Sequence, residues 1–469
     1  MSNQKVKYFI IGSLVFYFGW LLSFPFYGPV YFIAPPQMSF LGFSLVMLFV
    51  GAHTITHFVV GLTFKNVDRW HQIMTRSLGV TLFTNTLLTL DYPWLWVVGM
   101  VVLGIASSLY IMGWSVLFSL TGQTQERIKV MVIIMISSNL VLLVFTLLQN
   151  ALPSKVVLGL SNLPLLLTGI VLVKSSRFFR DNVFSNYVKL PISKPLLLLF
   201  SLFVFSIYLN GGLMYSIMLP ALSAEIFITN YFPFVVYIFV LLVIYRLYKS
   251  VNNALLIYLG MSILGLAFIT FAFFNHNTSG YLLTIGFMES AFALIDLFLW
   301  TTLCVLAFIY GAPFQIFGIL LGANTASIFV GDLIGTRLIH AEDNLYLVTA
   351  LLSATSILLA IIVIPWLLQS FNHKFELILH DNHRREMMKA DKPTDILMAY
   401  LPNGKAITDR EMEVIHLVLQ GMTNKEIARQ LFITEHTVKT HMKNICNKFG
   451  VSRKKELIYL ATRKEQENI

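Results

Sequence analysis

Charge is scarce in this chain. Only 12% of its 469 residues are Asp, Glu, Lys or Arg, about half the roughly 25% of an ordinary soluble domain. Cysteine is nearly absent. Cys304 lies in an apolar segment and Cys446 in a polar one, which excludes a disulfide framework or a cysteine-built metal cluster. There is no Gly-x-x-x-x-Gly-Lys-Ser/Thr phosphate loop. No paired nucleophile and base stand in a recognisable motif, so neither enzymatic chemistry nor a cofactor is expected. The N-terminal MSNQKVKYF enters an apolar run without a small-residue cleavage pattern and reads as a retained first helix rather than a signal peptide.

What is abundant is apolar sequence, at 57% of residues and a mean hydropathy of +0.75. Twelve apolar runs are long enough to cross a bilayer, near residues 8–33, 40–64, 72–90, 93–120, 128–149, 156–173, 195–219, 230–248, 252–274, 281–309, 313–334 and 345–369. Pro25, Pro29 and Pro220 sit near run ends, where kinks are tolerated. With the N-terminus inside, the inner loops collect Lys5, Lys7, Lys65, Arg69, Arg76, Arg127, Lys129, Lys174, Arg177, Arg180, Lys189, Lys194, Arg246 and Lys249. The outer loops hold only Lys155 and Arg337. Positive loops resist translocation, so this bias predicts a multi-pass protein of the inner, cytoplasmic membrane with both termini in the cytoplasm.

The loop KSSRFFRDNVFSNYVKLPISK, Lys174 to Lys194, separates six runs from six. Two six-helix halves joined by a basic linker resemble the major facilitator superfamily, in which the halves enclose a central cavity. GLTFKNVDRWHQ holds Gly61, Asp68 and Arg69 in an order similar to that family's Gly-x-x-x-Asp-Arg signature, with altered spacing and without the following Gly-Arg pair. In transporters of the family that loop helps gate the cytoplasmic side, so its departure puts active transport in doubt. Inside the runs, Glu289 and Asp296 are seven apart and share one helical face, and Asp332 lies late in the eleventh. They read either as a ligand or proton site, or as acids that pack helices together. His53 and His57, four apart, share a face suited to a ligand or a proton switch. A metal site needs further ligands that are not identifiable, and none is expected. Trp20, Tyr27, Trp114, Tyr208, Tyr215, Phe287 and Trp300 are candidates for a pocket wall, for packing, or for interfacial anchoring.

Near residue 370 the character changes. Residues 371–469 carry 17 Lys and Arg against 13 Asp and Glu, more basic residues than the 16 in all of residues 1–370. Phe371, Phe375 and Ile378 continue helical spacing before Pro393, Pro402 and Gly404 interrupt it. TDRE at Thr408–Glu411 and TNKE at Thr423–Glu426 each have the form of a capping box and start a helix. Gly421 ends the first helix, Thr434 caps a third that Gly450 ends, and Ser452 caps a fourth. Val414, Leu417, Val418, Ile427, Ala428, Leu431, Ile433, Val438, Met442, Ile445, Phe449, Val451 and Leu457 supply a small core. The third helix keeps Lys439, Thr440, Lys443, Asn444 and Lys448, with His436 and His441, for an outer surface that fits a helix entering a DNA major groove.

ITDREMEVIHLVLQGMTNKEIARQLFITEHTVKTHMKNICNKFGVSRKKELI resembles a LuxR-type helix-turn-helix domain over about 55 residues. The resemblance implies base-edge contacts from Lys439, Thr440 and Lys443. It implies backbone-positioning contacts from Thr423, Asn424, Lys425, Thr434 and Thr437, with His441 either at the DNA or between helices. It also implies a homodimer on inverted half-sites, paired through the last helix, Arg453 to Arg463. Many proteins with this output domain carry a phosphoacceptor receiver or an ATP-binding module; no soluble alternating strand and helix region is present to form the former.

The expected architecture is therefore all-α: a twelve-helix, six-plus-six bundle over 1–370, a cytoplasmic linker over 371–405, and a four-helix DNA-binding domain over 406–469. The expected function is a one-component membrane-embedded transcription regulator that senses a small molecule and binds double-stranded promoter DNA. A secondary transporter with a regulatory DNA-binding tail is the alternative.

Overall fold

A computed structural model describes residues 3–33, 38–64, 68–119, 124–176, 192–221, 226–274, 278–339, 345–389, 397–398, 400–402, 406–419 and 421–462. Lys65, Arg177, Arg180, Lys189, Pro393, Gly404 and Arg463, used in the sequence reading, lie outside these residues. The chain divides into two units, residues 1–368 and 369–469.

The first unit is built of α1 (Asn3–Ser23), α2 (Pro29–Ile33), α3 (Leu45–Thr63), α4 (Trp70–Leu88), α5 (Pro93–Ser119), α6 (Thr124–Ala151), α7 (Ser154–Leu160), α8 (Asn162–Ser176), α9 (Lys194–Leu213), α10 (Leu219–Ala221), α11 (Ile226–Leu247), α12 (Asn253–Phe274), α13 (Thr278–Tyr310), α14 (Pro313–Ile339) and, as far as Leu368, α15 (Leu345–Lys389). A two-stranded hairpin pairs β1 (Ser39–Phe40) with β2 (Phe43–Ser44). Its turn residues Leu41 and Gly42 both have positive φ, 54° and 80°, the backbone that a tight two-residue hairpin requires.

Among the described residues nine helical stretches are long and apolar enough to cross a membrane. The other three predicted runs are helical too, but fall short of that measure. The apolar part of α1 is Tyr8–Ser23 and that of α11 is Tyr231–Leu247. In α4, His71, Gln72, Arg76 and Asn85 dilute the apolar content. Large side chains such as Phe83, Leu198, Phe239, Ile362 and Trp366 stand exposed on this unit, as a surface that meets lipid rather than water requires.

Local chemistry breaks the predicted runs where proline intervenes. The 8–33 run stops at Ser23 and resumes at Pro29, with Tyr27 between them in the left-handed region at φ 54°. The 156–173 run splits at Ser161, just before Pro164. In the 195–219 run, Pro220 has no N–H to return to the carbonyl four residues earlier, and Met214–Met218 widen into a π-helical turn.

Helix α14 joins the halves. It packs against α9 and, across the bundle, against α3. Both contacts are made at glycine. A Cβ on Gly318 would stand 2.5 Å from the Gly61 Cα, and one on Gly212 would stand 2.6 Å from the Gly331 Cα. Gly61, the first residue of the degraded signature, is thus a place where two backbones touch.

The second unit contains α16 (Asp409–Leu419), α17 (Asn424–Gln430), α18 (Glu435–Phe449) and α19 (Lys454–Thr462). Every core residue expected from the sequence is buried in its apolar cluster or packed against it. The cluster also takes Ile415, Leu419, Cys446, Ala461 and Leu397, with Met398 and Leu401 against it. Packing therefore reaches back into the segment read as a linker. Gly421 and Gly450 adopt φ 82° and 70° where α16 and α18 end, the left-handed C-terminal geometry that glycine allows.

Candidate nucleic-acid interface and membrane cavity

The DNA-binding candidate is assembled by caps. Thr423 Oγ1 accepts from the Glu426 amide at 3.3 Å while the Glu426 carboxylate accepts from the Thr423 amide at 2.7 Å, a closed capping box that starts α17. Thr408 and Glu411 repeat the exchange at α16, at 3.2 and 2.9 Å. Thr434 starts α18 by accepting from the Thr437 amide at 3.1 Å. Phe432, 95% exposed at φ 55°, forms the turn between α17 and α18. The Ile433 amide closes that turn on the Ala428 carbonyl at 3.0 Å. From α16, Arg410 donates to the Leu431 carbonyl at 2.7 Å, satisfying an acceptor that the end of α17 leaves open.

On α18, Val438, Met442, Ile445, Cys446 and Phe449 face the core. Lys439, Thr440, Lys443 and Asn444 are exposed together on its outer side. Lys439 holds an exposed ion pair with Glu435 at 3.3 Å, and the Thr440 hydroxyl donates to the His436 carbonyl at 3.1 Å. Among the backbone candidates, Thr423, Lys425 and Thr434 are exposed, Asn424 and Thr437 half-buried. Thr423 spends its hydroxyl on the cap, and the Asn424 Oδ1 is buried without a partner. His441 is half-buried.

One assignment is corrected. Lys448, read as part of the outer surface, turns inward and donates to the Glu411 carboxylate at 2.5 Å. Glu411 is only 4% exposed. Burial opposes its charge, but the Lys448 ammonium and the Thr408 donors prevail and hold its pKa below the usual glutamate value. Ser452 likewise departs from expectation: α19 begins at Lys454, and the Ser452 amide donates to Glu456 at 2.7 Å. Lys454 donates to the Met422 carbonyl at 2.7 Å, tying α19 to the turn before α17. Burial lowers its pKa, and Glu426 nearby opposes the shift.

The first unit encloses a cavity of about 290 Å³ between its two halves, at the small end of small-molecule sites. His53, His57, Glu289 and Asp296 all line it, from α3 on one side and α13 on the other. Asp296 accepts from Tyr208 at 2.6 Å and Tyr237 at 3.1 Å, one phenol on each carboxylate oxygen. His53 Nδ1 meets Ser107 Oγ at 2.8 Å and the Gly104 carbonyl at 3.2 Å. His57 Nδ1 lies 2.9 Å from both the His53 carbonyl and Ser108 Oγ, leaving Nε2 buried without a partner. Asp332 does not line the cavity; it is bridged to the wall residue Tyr27, whose hydroxyl donates to it at 2.5 Å. Tyr27 stacks on Tyr215, ring centroids 4.1 Å apart.

The aromatic candidates divide cleanly. Tyr27, Tyr208, Tyr215 and Trp300 line the cavity. Trp20 and Trp114 are fully buried away from it, their indole N–H groups donating to Asn85 at 3.1 Å and to the Ile10 carbonyl at 3.0 Å. Phe287 is half-buried and outside the lining. Sequence reading missed Tyr237 and Asn324, both on the wall; the phenol's only signal was its place within an apolar run. No group of three or more His, Cys, Asp or Glu suited to a metal ion occurs among the described residues.

Residues 405–461 match the family model of bacterial regulatory proteins, luxR family. The C-terminal unit carries a LuxR-family helix-turn-helix domain. The transcriptional regulatory protein LiaR of Bacillus subtilis is 46% identical over 59 residues, 13% of this chain and 28% of LiaR. The nitrate/nitrite response regulator NarL of Escherichia coli K12 is 36% identical over 86 residues, 17% of this chain and 40% of NarL. The chain thus covers less than half the length of these relatives. The first unit has a fold like that of a solved transporter: the human organic anion transporter MFSD10 (TETRAN) superposes at a TM-score of 0.56 over 77% of this chain and all of its own, at 13% identity. That likeness concerns the fold.

Proposed function

We propose that the protein is a one-component transcription regulator embedded in the membrane, in which a small molecule held by the bundle controls the DNA-binding unit. One observation carries the reading: a single chain joins a LuxR-family helix-turn-helix domain, its α17 started by a closed capping box, to a bundle whose cavity leaves His57 Nε2 without a protein partner. Lys439, Thr440 and Lys443 read base edges from the exposed side of α18, and Thr423, Asn424, Lys425, Thr434 and Thr437 position the phosphate backbone. The domain works as a homodimer on paired half-sites. Both termini face the cytoplasm, in line with the distribution of Lys and Arg among the loops, so that the DNA-binding unit meets the chromosome. The functional division follows residues 1–370, 371–405 and 406–469.

A ligand acts on such a protein only by binding one state more tightly than another, typically by about 1–3 kcal/mol. Chromatin immunoprecipitation of the tagged full-length protein, beside a Lys439→Ala/Lys443→Ala variant, tests the reading. Discrete promoter peaks that vanish in the variant are expected, and their absence under varied growth conditions overturns it.

The cavity acids support a second reading, secondary transport with a regulatory tail. Glu289 lines the space between the halves, where carboxylates in transporters couple substrate to ions. This reading predicts substrate flux in vesicles that Glu289→Gln abolishes; the sensor reading predicts binding without flux.

A further inference from the structure

The titratable side chains that line the cavity are carboxyls, imidazoles and phenols, and they stand beside the uncharged donors of Trp300 and Asn324. Glu289 has no hydrogen-bond or ion-pair partner among the described residues. Asp296 receives a phenol on each oxygen, at 2.6 and 3.1 Å, a pair of donors that favours its charged form. His57 is fully buried, and its Nδ1 lies 2.9 Å from a backbone carbonyl, which only accepts. The neutral ring therefore carries its proton on Nδ1, and the unpartnered Nε2 is an acceptor. Among the described residues no lysine or arginine lines the space.

The rest of the wall is apolar and aromatic. Trp300, the stacked pair Tyr27 and Tyr215, and Phe292 line the space with these groups. Aromatic faces attract cations through the ring quadrupole. Two carboxylates that stay ionised away from bulk water need a compensating positive charge, and the described residues of the wall supply none. An anion entering the same space would meet the carboxyls of Glu289 and Asp296 and, among the described residues of the wall, no cation to balance its charge.

We propose that the cavity takes an organic cation, a protonated or quaternary amine on an apolar, aromatic body, with Glu289 and Asp296 as its counter-charges and His57 Nε2 accepting from its N–H or another donor. This rests on reading the bundle as the ligand-binding part of the protein. It assigns a charge opposite to that of the substrate named for the structural neighbour, with which the chain shares a fold.

The test uses full-length protein in lipid nanodiscs, with empty nanodiscs as the partition control. Tetraphenylphosphonium, tetraphenylborate, an anion of the same shape, and the smaller cation benzyltrimethylammonium are compared by equilibrium binding. At least one cation is expected to bind ten times or more tightly than the borate. Glu289→Gln and Asp296→Asn, which keep shape and remove charge, are each expected to weaken that binding tenfold or more while thermal unfolding of the protein changes little. Borate binding as tight as cation binding, binding of neither cation, or cation affinity unchanged in both variants overturns the assignment. Promoter occupancy measured with and without the bound cation separates the two readings. Binding without any change in occupancy leaves the ligand class standing and sinks the switch, and occupancy that responds to the borate alone does the reverse.

Discussion

Replacing Lys448 with Met removes one charge from α18 and leaves the carboxylate of Glu411 buried with only Thr408 as donor. The methionine keeps the apolar stem, so the change isolates the ion pair. Exposed pairs contribute less than about 1 kcal/mol, and breaking a fully buried one costs about 3–5 kcal/mol. Here the lysine side chain is 27% exposed and the glutamate 5%, and a hydrogen bond to a charged group contributes about 1.5–3 kcal/mol. A loss of about 2 kcal/mol follows, roughly thirtyfold in the folded-to-unfolded ratio. For a domain of this size that lowers Tm by about 8–16 °C. Urea and thermal unfolding of a fragment covering residues 395–469 measure it. The sign with pH is also determined. The folded-state pKa of Glu411 lies below its ordinary value of 4.5, so the pair's contribution is complete above 4.5 and fades as pH falls through the depressed folded value. The gap between wild type and variant should therefore narrow in acid. A change under about 0.5 kcal/mol at neutral pH, or a gap that widens in acid, refutes the reasoning.

Lys439→Ala/Lys443→Ala removes two exposed cations and should leave the unfolding midpoint of the domain almost unchanged. Its promoter DNA binding should fall at least tenfold, with a salt dependence shallower by about 1–2 in the log–log slope. Gly318→Leu forces a side chain onto the Gly61 backbone and should lower the melting temperature of the detergent-purified protein sharply. Gly265→Ala, which meets nothing within 4 Å, should leave it within a degree or two. Tyr27→Phe deletes the donor to Asp332 and keeps the ring on Tyr215, costing about 1.5–3 kcal/mol. Combined with Asp332→Asn it should cost clearly less than the sum of the two single changes, a non-additivity that a double-mutant cycle reads directly.

Much of this was legible because it is local. A span needs only a sufficiently long apolar run, and a helix start needs only Thr and Glu three residues apart, so Thr423 with Glu426 declared itself before any fold was known. The core of the DNA-binding unit followed from helical period alone. Where a backbone donor is missing, as at Pro220, the position of strain could be marked but not its outcome, the π-helical turn at Met214–Met218.

Contacts between distant segments could not be read this way. Lys448 and Asn444 look alike in sequence, yet one pairs with a buried carboxylate 37 residues away and the other faces outward. Nothing in the run around Tyr237 marks it as the partner of Asp296, 59 residues on. Sequence by itself determined the apolar spans, the capped helices and which residues of α18 stand on its exposed side, Lys448 excepted, because each depends on neighbours along the chain. Only the tertiary structure decided which acids and histidines share a cavity, which tryptophans merely pack, and that Gly61 touches Gly318, because each depends on how α3, α13 and α14 approach one another through space.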